Sequence, residues 1–241
     1  MTVWPELSRR RRRAERMDDP ELDPALHAEA LAGLARINLF SGSAGILWPP
    51  LCEAACRKRA GHTPLRVLDV ATGGGDVPVR LWKKARRAGI QTDIAACDAS
   101  EVALGVARRR AAAAAADVRF FPCDLLGDLE LTGEYDVVCC SLFLHHLPGD
   151  DACRVLERLS RVTRDSLLVS DLLRNPGGLL LAALAPRLLS RSPVVHYDAL
   201  QSVRGAFTES EARALAECAG LRNARVTRHW PCRYLLSWRR L

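Results

Sequence analysis

Three consecutive glycines, Gly73 to Gly75, follow an apolar run and precede an acid in the segment VLDVATGGGD (residues 67–76). Glycines at such a position let the backbone turn tightly and approach a ligand closely. A second acid, Asp98, ends the next apolar run, and Asp124 ends the one after it. An acid after the second strand of an open α/β sheet accepts hydrogen bonds from the ribose hydroxyls of an adenosine. The spacing therefore predicts an adenosine cofactor at the carboxyl edge of a sheet.

The acid that follows the glycines distinguishes between two such cofactors. A dinucleotide loop reads G-x-G-x-x-G and holds a pyrophosphate at the N-terminus of the next helix. Here the last glycine of that pattern is missing, and Asp76 would place a negative charge where the phosphates bind. S-adenosylmethionine has no phosphate and carries a positive sulfonium, and a carboxylate at a helix start is favourable for the helix dipole. Asp76 therefore favours S-adenosylmethionine over NAD.

The elements that must position these residues alternate between strand and helix from Pro64 onward. This alternation predicts an α/β fold with a doubly wound, mostly parallel seven-stranded sheet. The last two apolar runs, NARVTRHW and CRYLLSW, are joined by a gap too short for a crossover helix, so the C-terminal strand must pair antiparallel. Helical patterns in residues 1–60 predict an N-terminal helical cap over a Rossmann-like domain at residues 61–241.

Four segments resemble the motifs of the class I, Rossmann-like S-adenosylmethionine-dependent methyltransferases. VLDVATGGGD is similar to their first motif, ACDAS and FPCDLL to the acids after the second and third strands, and YDVVCCSLFLHHL to the fourth-strand segment. Ala71 stands where many members have glycine, and alanine there is also found in the ubiquinone/menaquinone C-methyltransferase branch. The segments SDLLRNPGG and RHWPCRYLLSW are similar to small-molecule methyltransferases of bacterial polyketide and phenolic-lipid pathways, which implies a role in secondary metabolism.

The resemblance implies which residues bind the cofactor. Glycines of the first motif would approach the methionine and ribose part, Asp98 would take the ribose hydroxyls, and Asp124 the adenine amino group. Asp69 is expected to organise the turn more than to touch the ligand. The complete set expected at the cofactor is Asp69, Ala71, Gly73, Gly75, Asp98, Ala99, Cys123, Asp124, Leu125 and Ser141.

Histidines are the candidate general bases for an in-line methyl transfer. A phenol has a pKa near 10, so its O-methylation gains from a base. His196, in the segment after the fifth strand, is the preferred base. His145 and His146 follow the fourth strand at the cleft mouth. Their role there is either to shape the pocket or to act in catalysis. His229 is a further candidate, and transfer by proximity alone without a base stays open.

The predicted function is O-methylation of a small phenolic or polyketide-derived acceptor. C-methylation of a quinol-type ring is the nearest alternative, because DVATGGGD is typical of that branch. A net charge of +7 could indicate a nucleic-acid methyltransferase, but no NPPY-like tetrapeptide follows the fourth strand, so no nucleic-acid partner is expected. A non-catalytic S-adenosylmethionine-binding protein is a third class. A monomer or a homodimer is expected.

Composition supplies the remaining expectations. The basic run Arg9–Arg13 is predicted to be a solvated arm. Nine cysteines without CxxC pairs or zinc spacing predict reduced thiols, no metal site and a cytoplasmic location. No run approaches the roughly 20 apolar residues of a membrane helix, so no stable membrane insertion is expected. The N-terminal residues lack the apolar segment of a signal peptide.

Overall fold

The computed structural model describes residues 7–19, 21–58, 63–127 and 131–240. In these ranges seven strands form one sheet with eight α-helices around it. The strands are β1 (Leu65–Val70), β2 (Thr92–Asp98), β3 (Val118–Pro122), β4 (Tyr135–Ser141), β5 (Thr163–Leu172), β6 (Arg225–His229) and β7 (Arg233–Arg239). The helices are α1 (Pro24–Phe40), α2 (Ser43–Lys58), α3 (Asp76–Arg87), α4 (Glu101–Ala113), α5 (Gly149–Val162), α6 (Pro176–Leu189), α7 (Pro193–Gly205) and α8 (Glu209–Cys218).

The strand order is β3-β2-β1-β4-β5-β7-β6. Strands β1 to β5 run parallel to one another, and β7 pairs antiparallel with both β5 and β6. The predicted doubly wound sheet with its antiparallel C-terminal strand is therefore confirmed. The order reverses between β1 and β4, so the crevice outside the carboxyl ends of these two strands is where such a sheet binds ligands.

Local signals in the sequence place the helix ends. Asp76 is the first residue of α3, and Gly89 follows its end with a φ of 66°. The Ser100 side chain accepts the amide of Ala103 at the start of α4. At α8 Thr208 and Glu211 bond each other's backbone amides in a capping box.

Helices cover both faces of the sheet. One face packs its apolar side chains against α5 and α8, and the other against α2 and α3. Helix α2 buries Leu47 and Leu51 completely against the sheet, whereas α1 lies beside α4, α6 and α7. The predicted boundary at residues 60 and 61 lies outside the described residues, so the division into a cap and a Rossmann-like domain stays a prediction.

Residues 7–19, the N-terminal strap, cross the carboxyl edge of the sheet. Arg10 donates from Nε to the Gly205 carbonyl at 2.5 Å and from Nη2 to the Leu147 carbonyl at 2.7 Å. Arg12 donates to the carbonyl of His146 at 3.2 Å. The expectation of a solvated arm is therefore wrong for Arg10, because carbonyls at the end of α7 and after β4 accept its guanidinium protons. The other arginines of the run, Arg9, Arg11, Arg12 and Arg13, are exposed.

A disulfide joins Cys153 of α5 to Cys218 of α8, which corrects the expectation that the cysteines are all reduced. The two cysteines are 65 residues apart in sequence, and their Cα atoms are 6.0 Å apart. Their spacing follows no motif, because the pair forms only where two helices pack side by side. The sequence alone could not reveal this proximity.

Among the described helices none is by itself both long and apolar enough to cross a membrane. Helices α1 and α2 have the length and composition of a membrane span only when they are taken together, as a pair bent by 61°. The cytoplasmic location and the oligomeric state stay predictions.

Candidate active site

The glycine turn after β1 has the backbone geometry that its sequence predicts. Ala71, Gly73 and Gly75 have positive φ values of 50°, 53° and 69°. Asp69 is buried beneath the turn and accepts the Thr72 hydroxyl at 2.7 Å, as expected of a turn organiser. Burial raises the pKa of Asp69 to about 7, despite the Thr72 hydrogen bond that favours its ionised form.

Asp98 at the end of β2 reaches the same turn. Its Oδ2 accepts the amide of Gly73 at 2.7 Å, and its Oδ1 accepts the amide of Ser100 at 2.9 Å. These bonds hold the Asp98 carboxylate beside the glycine turn, with Ala99 next to it in the chain. The ribose-binding acid of the prediction therefore lies at the crevice between β1 and β2.

The residues predicted to surround adenine lie after β3. Asp124 is exposed and accepts the amide of Leu126 at 2.9 Å, whereas Cys123 and Leu125 on either side of it are buried. Ser141 ends β4, where its hydroxyl oxygen is buried with no hydrogen-bond partner among the described residues. Because β1 and β4 are paired up to Val70 and Cys140, Ser141 lies directly across the switch point from the glycine turn.

Asp76 lies at the start of α3, as predicted, but it does not face an open crevice. It is 6% exposed, and its Oδ1 accepts from Asn38 of α1 at 3.3 Å. Burial raises the pKa of Asp76, opposed by the positive charges of Arg110 and Arg80. The carboxylate therefore ties α1 to the glycine turn.

A cavity of about 270 Å³ opens beside this crevice. Its walls come from α1, α6, α7, the strap, the residues after β4, the end of β5 and residues 230–233 at the start of β7. Most of the lining is apolar, and the run Gly177–Leu189 contributes Leu181, Ala185 and Leu189. The polar groups that reach the cavity are Glu15, Asn38, Ser41, His145, His146, Asp198, Ser202 and Arg233. The arrangement suits a small, largely apolar molecule with a few polar substituents.

His145 and Asp171 form a buried pair in the cavity wall. His145 Nδ1 lies 2.6 Å from Asp171 Oδ1, and the His145 amide donates to Asp171 Oδ2 at 3.2 Å. Burial alone would raise the pKa of Asp171, but the charge and hydrogen bond of His145 lower it overall. An ionised Asp171 thus orients the ring and directs Nε2 away from the pair. Glu15 Oε1 lies 3.7 Å from that Nε2.

His146 is held by the strap. Its Nδ1 lies 2.8 Å from Asp18 Oδ2, and its ring packs beside that of His145 with 4.3 Å between the centroids. Burial alone would lower the pKa of His146, but the Asp18 hydrogen bond and the charges of Glu15 and Asp171 raise it to about 9. His146 is therefore a cation at neutral pH.

Glu15, His145 and His146 also offer atoms that ligate metals, all within 4.8 Å of one another. Glu15 Oε1 already accepts the Ser202 hydroxyl at 2.7 Å, and His146 Nδ1 is engaged by Asp18. The hydrogen bonds describe a carboxylate–histidine cluster. The expectation of no metal site stays a prediction.

The other predicted residues lie away from this cluster. His196 is on α7, outside the cavity lining, with its Nε2 2.8 Å from the Ser190 carbonyl. His229 lies on β6 and bonds Thr227 at 3.0 Å. Among the predicted bases, the structure brings only His145 and His146 to the cavity.

Sequence reasoning missed Glu15, Asp18 and Asp171 as partners of these histidines. Asp171 lies next to the last residue of β5, at the edge where such sheets bind ligands, and this position in the sequence could have identified it as a site residue. Glu15 and Asp18 belong to a segment without helical or strand periodicity, so nothing in the sequence placed them beside β4.

The described residues fit S-adenosylmethionine. The positive-φ turn leaves its backbone free of side chains at Gly73, Asp98 presents a carboxylate beside it, and the buried Ser141 hydroxyl has an unused bond.

Known proteins match this chain in sequence and in fold. Residues 67–166 match the family model described as a methyltransferase domain. The ubiquinone biosynthesis O-methyltransferase of Pseudomonas aeruginosa is 26% identical over 182 residues, which are 72% of this chain and 75% of that protein. The demethylmenaquinone methyltransferase of Deinococcus radiodurans is 35% identical over 89 residues, 37% of this chain and 35% of that protein.

Two solved structures share the fold. Magnesium protoporphyrin IX methyltransferase from Synechocystis PCC 6803, with bound S-adenosylhomocysteine, has a TM-score of 0.53 at 18% identity and covers 90% of this chain and 84% of its own. Human N-acetylserotonin methyltransferase, in complex with S-adenosylmethionine, has a TM-score of 0.63 at 15% identity and covers 90% of this chain and 56% of its own.

Proposed function

We propose that this chain is a class I S-adenosylmethionine-dependent methyltransferase of small molecules and that it methylates a phenolic hydroxyl with His145 as the general base. The observation that carries this proposal is the His145–Asp171 pair in the wall of an apolar cavity. When the Nδ1–H of an imidazole donates to a carboxylate, its Nε2 is the nitrogen that can accept a proton. This arrangement differs from the prediction, which preferred His196.

The cofactor would be held by the glycine turn, Asp98 and the residues after β3. When bound, S-adenosylmethionine would supply the methyl group from its sulfonium, with the neutral thioether of S-adenosylhomocysteine as the leaving group. His145 Nε2 takes the proton of the acceptor hydroxyl, while Nδ1–H donates to Asp171 and keeps the ring in the productive tautomer. Asp171 and Glu15 stabilise the imidazolium that forms, and the His146 cation favours the phenolate before transfer.

The acceptor class is a phenolic, polyketide-derived or quinol-type molecule. The apolar lining from α6 and α1 supports a ring with an apolar substituent, and the name of the P. aeruginosa relative supports methylation at oxygen. C-methylation of a quinol-type ring is the second candidate, supported by the match to the demethylmenaquinone methyltransferase.

Transfer of a 13C-labelled methyl group to dihydroxylated aromatic acceptors tests the proposed reaction. The methyl carbon chemical shift and mass fragmentation of the product distinguish an O-methyl ether from a ring methyl group. A labelled ether supports the proposal. A product methylated only at a ring carbon would overturn the proposal of O-methylation and support the second candidate, a C-methyltransferase.

His145→Gln should lower kcat by roughly 10²- to 10⁴-fold, because it removes the general base. His196→Gln should change kcat by less than about threefold, since His196 contacts the Ser190 carbonyl and does not line the cavity. Steady-state kinetics on the same acceptor compare the two variants. The reverse order of effects would restore His196 as the base.

A further inference from the structure

Two arginines of this chain are buried to a similar degree but are compensated differently. Arg174 is 6% exposed and binds Glu211 with two nitrogens, at 2.7 Å and 2.9 Å. Arg233 is 2% exposed, and no carboxylate among the described residues lies within ion-pair distance of its guanidinium. A buried cation without a paired anion is unfavourable unless another group compensates it.

The partners of Arg233 are all neutral. It donates from Nη1 to Ser43 Oγ at 2.7 Å and from Nη2 to Ser41 Oγ at 2.8 Å and Asn38 Oδ1 at 3.3 Å. The nearest carboxylates that influence it are those of Asp171 and Asp76. Neither carboxylate forms an ion pair with Arg233: Asp171 is bonded to His145, and Asp76 accepts a hydrogen bond from Asn38.

Arg233 also faces the cavity. It is the first residue of β7, paired with Leu172 at the carboxyl end of β5, and both residues line the cavity. Burial lowers the pKa of Arg233 to about 10, so its guanidinium is still charged at neutral pH. Two cations thus line the cavity, the guanidinium of Arg233 and the imidazolium of His146. His146 is paired with Asp18, so of the two only Arg233 lacks a carboxylate partner among the described residues.

We propose that Arg233 binds a carboxylate that enters this cavity, so that the acceptor is a hydroxylated aromatic acid bearing an apolar substituent. Ser41, Ser43 and Asn38 hold the guanidinium in place, and its Nε–H and one Nη1 proton have no partner among the described residues, so each can donate a charged hydrogen bond to a carboxylate. This inference rests on the proposed function, because it names the acceptor of the same site. The methionine carboxylate of the cofactor has the same chemistry and is the other source.

Calorimetry with a matched ligand pair tests the proposal. The acid is 2,4-dihydroxy-6-pentylbenzoate, and 5-pentylresorcinol is its counterpart without the carboxylate, each titrated into the protein saturated with S-adenosylhomocysteine. The wild-type chain should bind the acid roughly 10- to 100-fold more tightly, the effect of a hydrogen-bonded charged group. In Arg233→Gln this preference should fall below about threefold.

A parallel titration of S-adenosylhomocysteine distinguishes the two sources. Loss of the acid preference with unchanged cofactor affinity assigns the carboxylate to the acceptor, whereas a tenfold or larger loss of cofactor affinity assigns it to the methionine group. Arg174→Gln is the matched control, because it removes an equally buried arginine outside the cavity and should leave both affinities unchanged.

The proposal is overturned if the wild-type chain binds the acid no more tightly than the resorcinol and Arg233→Gln leaves cofactor affinity unchanged. If Arg233→Gln does not fold, Arg233→Lys replaces it. The relative affinity for the acid and the resorcinol in the wild-type chain and in Arg233→Lys then tests binding of an acceptor carboxylate. The affinity of Arg233→Lys for S-adenosylhomocysteine tests binding of the methionine carboxylate. Binding is measured without turnover, so a failure of the proposed methyl transfer would not affect this result.

Discussion

At the scale of single residues, Gly75 has two independent reasons to lack a side chain. Its φ is 69°, a left-handed conformation that costs other residues free energy. In addition, a Cβ built there would lie 2.7 Å from the Cβ of Ala107 and 3.2 Å from the ring of Phe120. The resemblance assigned this glycine to ligand approach, whereas its neighbours in the fold are α4 and β3. The residue therefore supports the cofactor-binding turn through packing as well.

Gly75→Ala should destabilise the fold by roughly 2–4 kcal/mol, the combined cost of left-handed strain and overpacking. Gly89→Ala is the control, because Gly89 has a φ of 66° with nothing within 4 Å of an added Cβ. It should lose only the strain part, about 1–2 kcal/mol. Urea unfolding measures both. Equal losses would mean that the approach of Ala107 adds nothing.

At the scale of elements, the strap and α7 form one unit over the cavity. Asp198 of α7 accepts the amides of Arg16 and Met17 at 2.8 Å and 3.0 Å, and Ser202 of α7 donates to Glu15. Helix α7 therefore buries polar side chains toward the strap. The His146–Asp18 pair joins the same unit to the turn after β4.

The pH dependence of strap docking follows from the pKa of His146. That pKa is raised from about 6.5 in an unfolded chain to about 9, so the stabilisation is complete below pH 6.5 and lost as the pH rises through 9. The loss should be at most about 3 kcal/mol. Urea unfolding at pH 6 and pH 9.5 should show it in the wild-type chain and much less in Asp18→Asn.

Glu21→Gln supplies the control for that comparison, since Glu21 is an exposed carboxylate close to the strap. It should retain the wild-type difference between the two pH values. If Asp18→Asn keeps the full difference as well, the hydrogen bond between Asp18 and His146 does not cause it.

The elements also show how far the sequence could predict this protein. The sheet, its antiparallel end and the capping box of α8 follow from local patterns, because β-branched runs and cap residues determine them locally. No helix was predicted at residues 193–205, since the buried face of α7 carries Asp198, Gln201 and Ser202 and breaks the apolar periodicity. The cofactor acids could be predicted from strand ends, but Glu15 and Arg233 reach the cavity only through tertiary packing.

At the scale of the whole molecule, the two faces of the sheet are stabilised differently. The face under α2 and α3 joins the N-terminal helices to the sheet through apolar packing. The opposite face adds a covalent link, since Cys153 and Cys218 tie α5 to α8 at the edge of a large apolar cluster. Neither cysteine lines the cavity. The disulfide should therefore affect stability without affecting the proposed reaction.

Replacing both cysteines, Cys153→Ala with Cys218→Ala, should lower the free energy of unfolding by about 4 kcal/mol, because a link across 65 residues restricts the unfolded chain. Cys56→Ala is the control, since Cys56 is an exposed free thiol of α2. A reductant should lower the urea midpoint of the wild-type chain and of Cys56→Ala, and leave that of the double variant unchanged.

The affinity for S-adenosylhomocysteine, measured by calorimetry, should be equal in all three proteins, because α5 and α8 cover a face of the sheet, whereas the cofactor crevice lies at the carboxyl edge of the sheet. A reductant-insensitive wild-type midpoint would show that the link contributes no stability, and reduced cofactor affinity in the double variant would show that it also shapes the crevice.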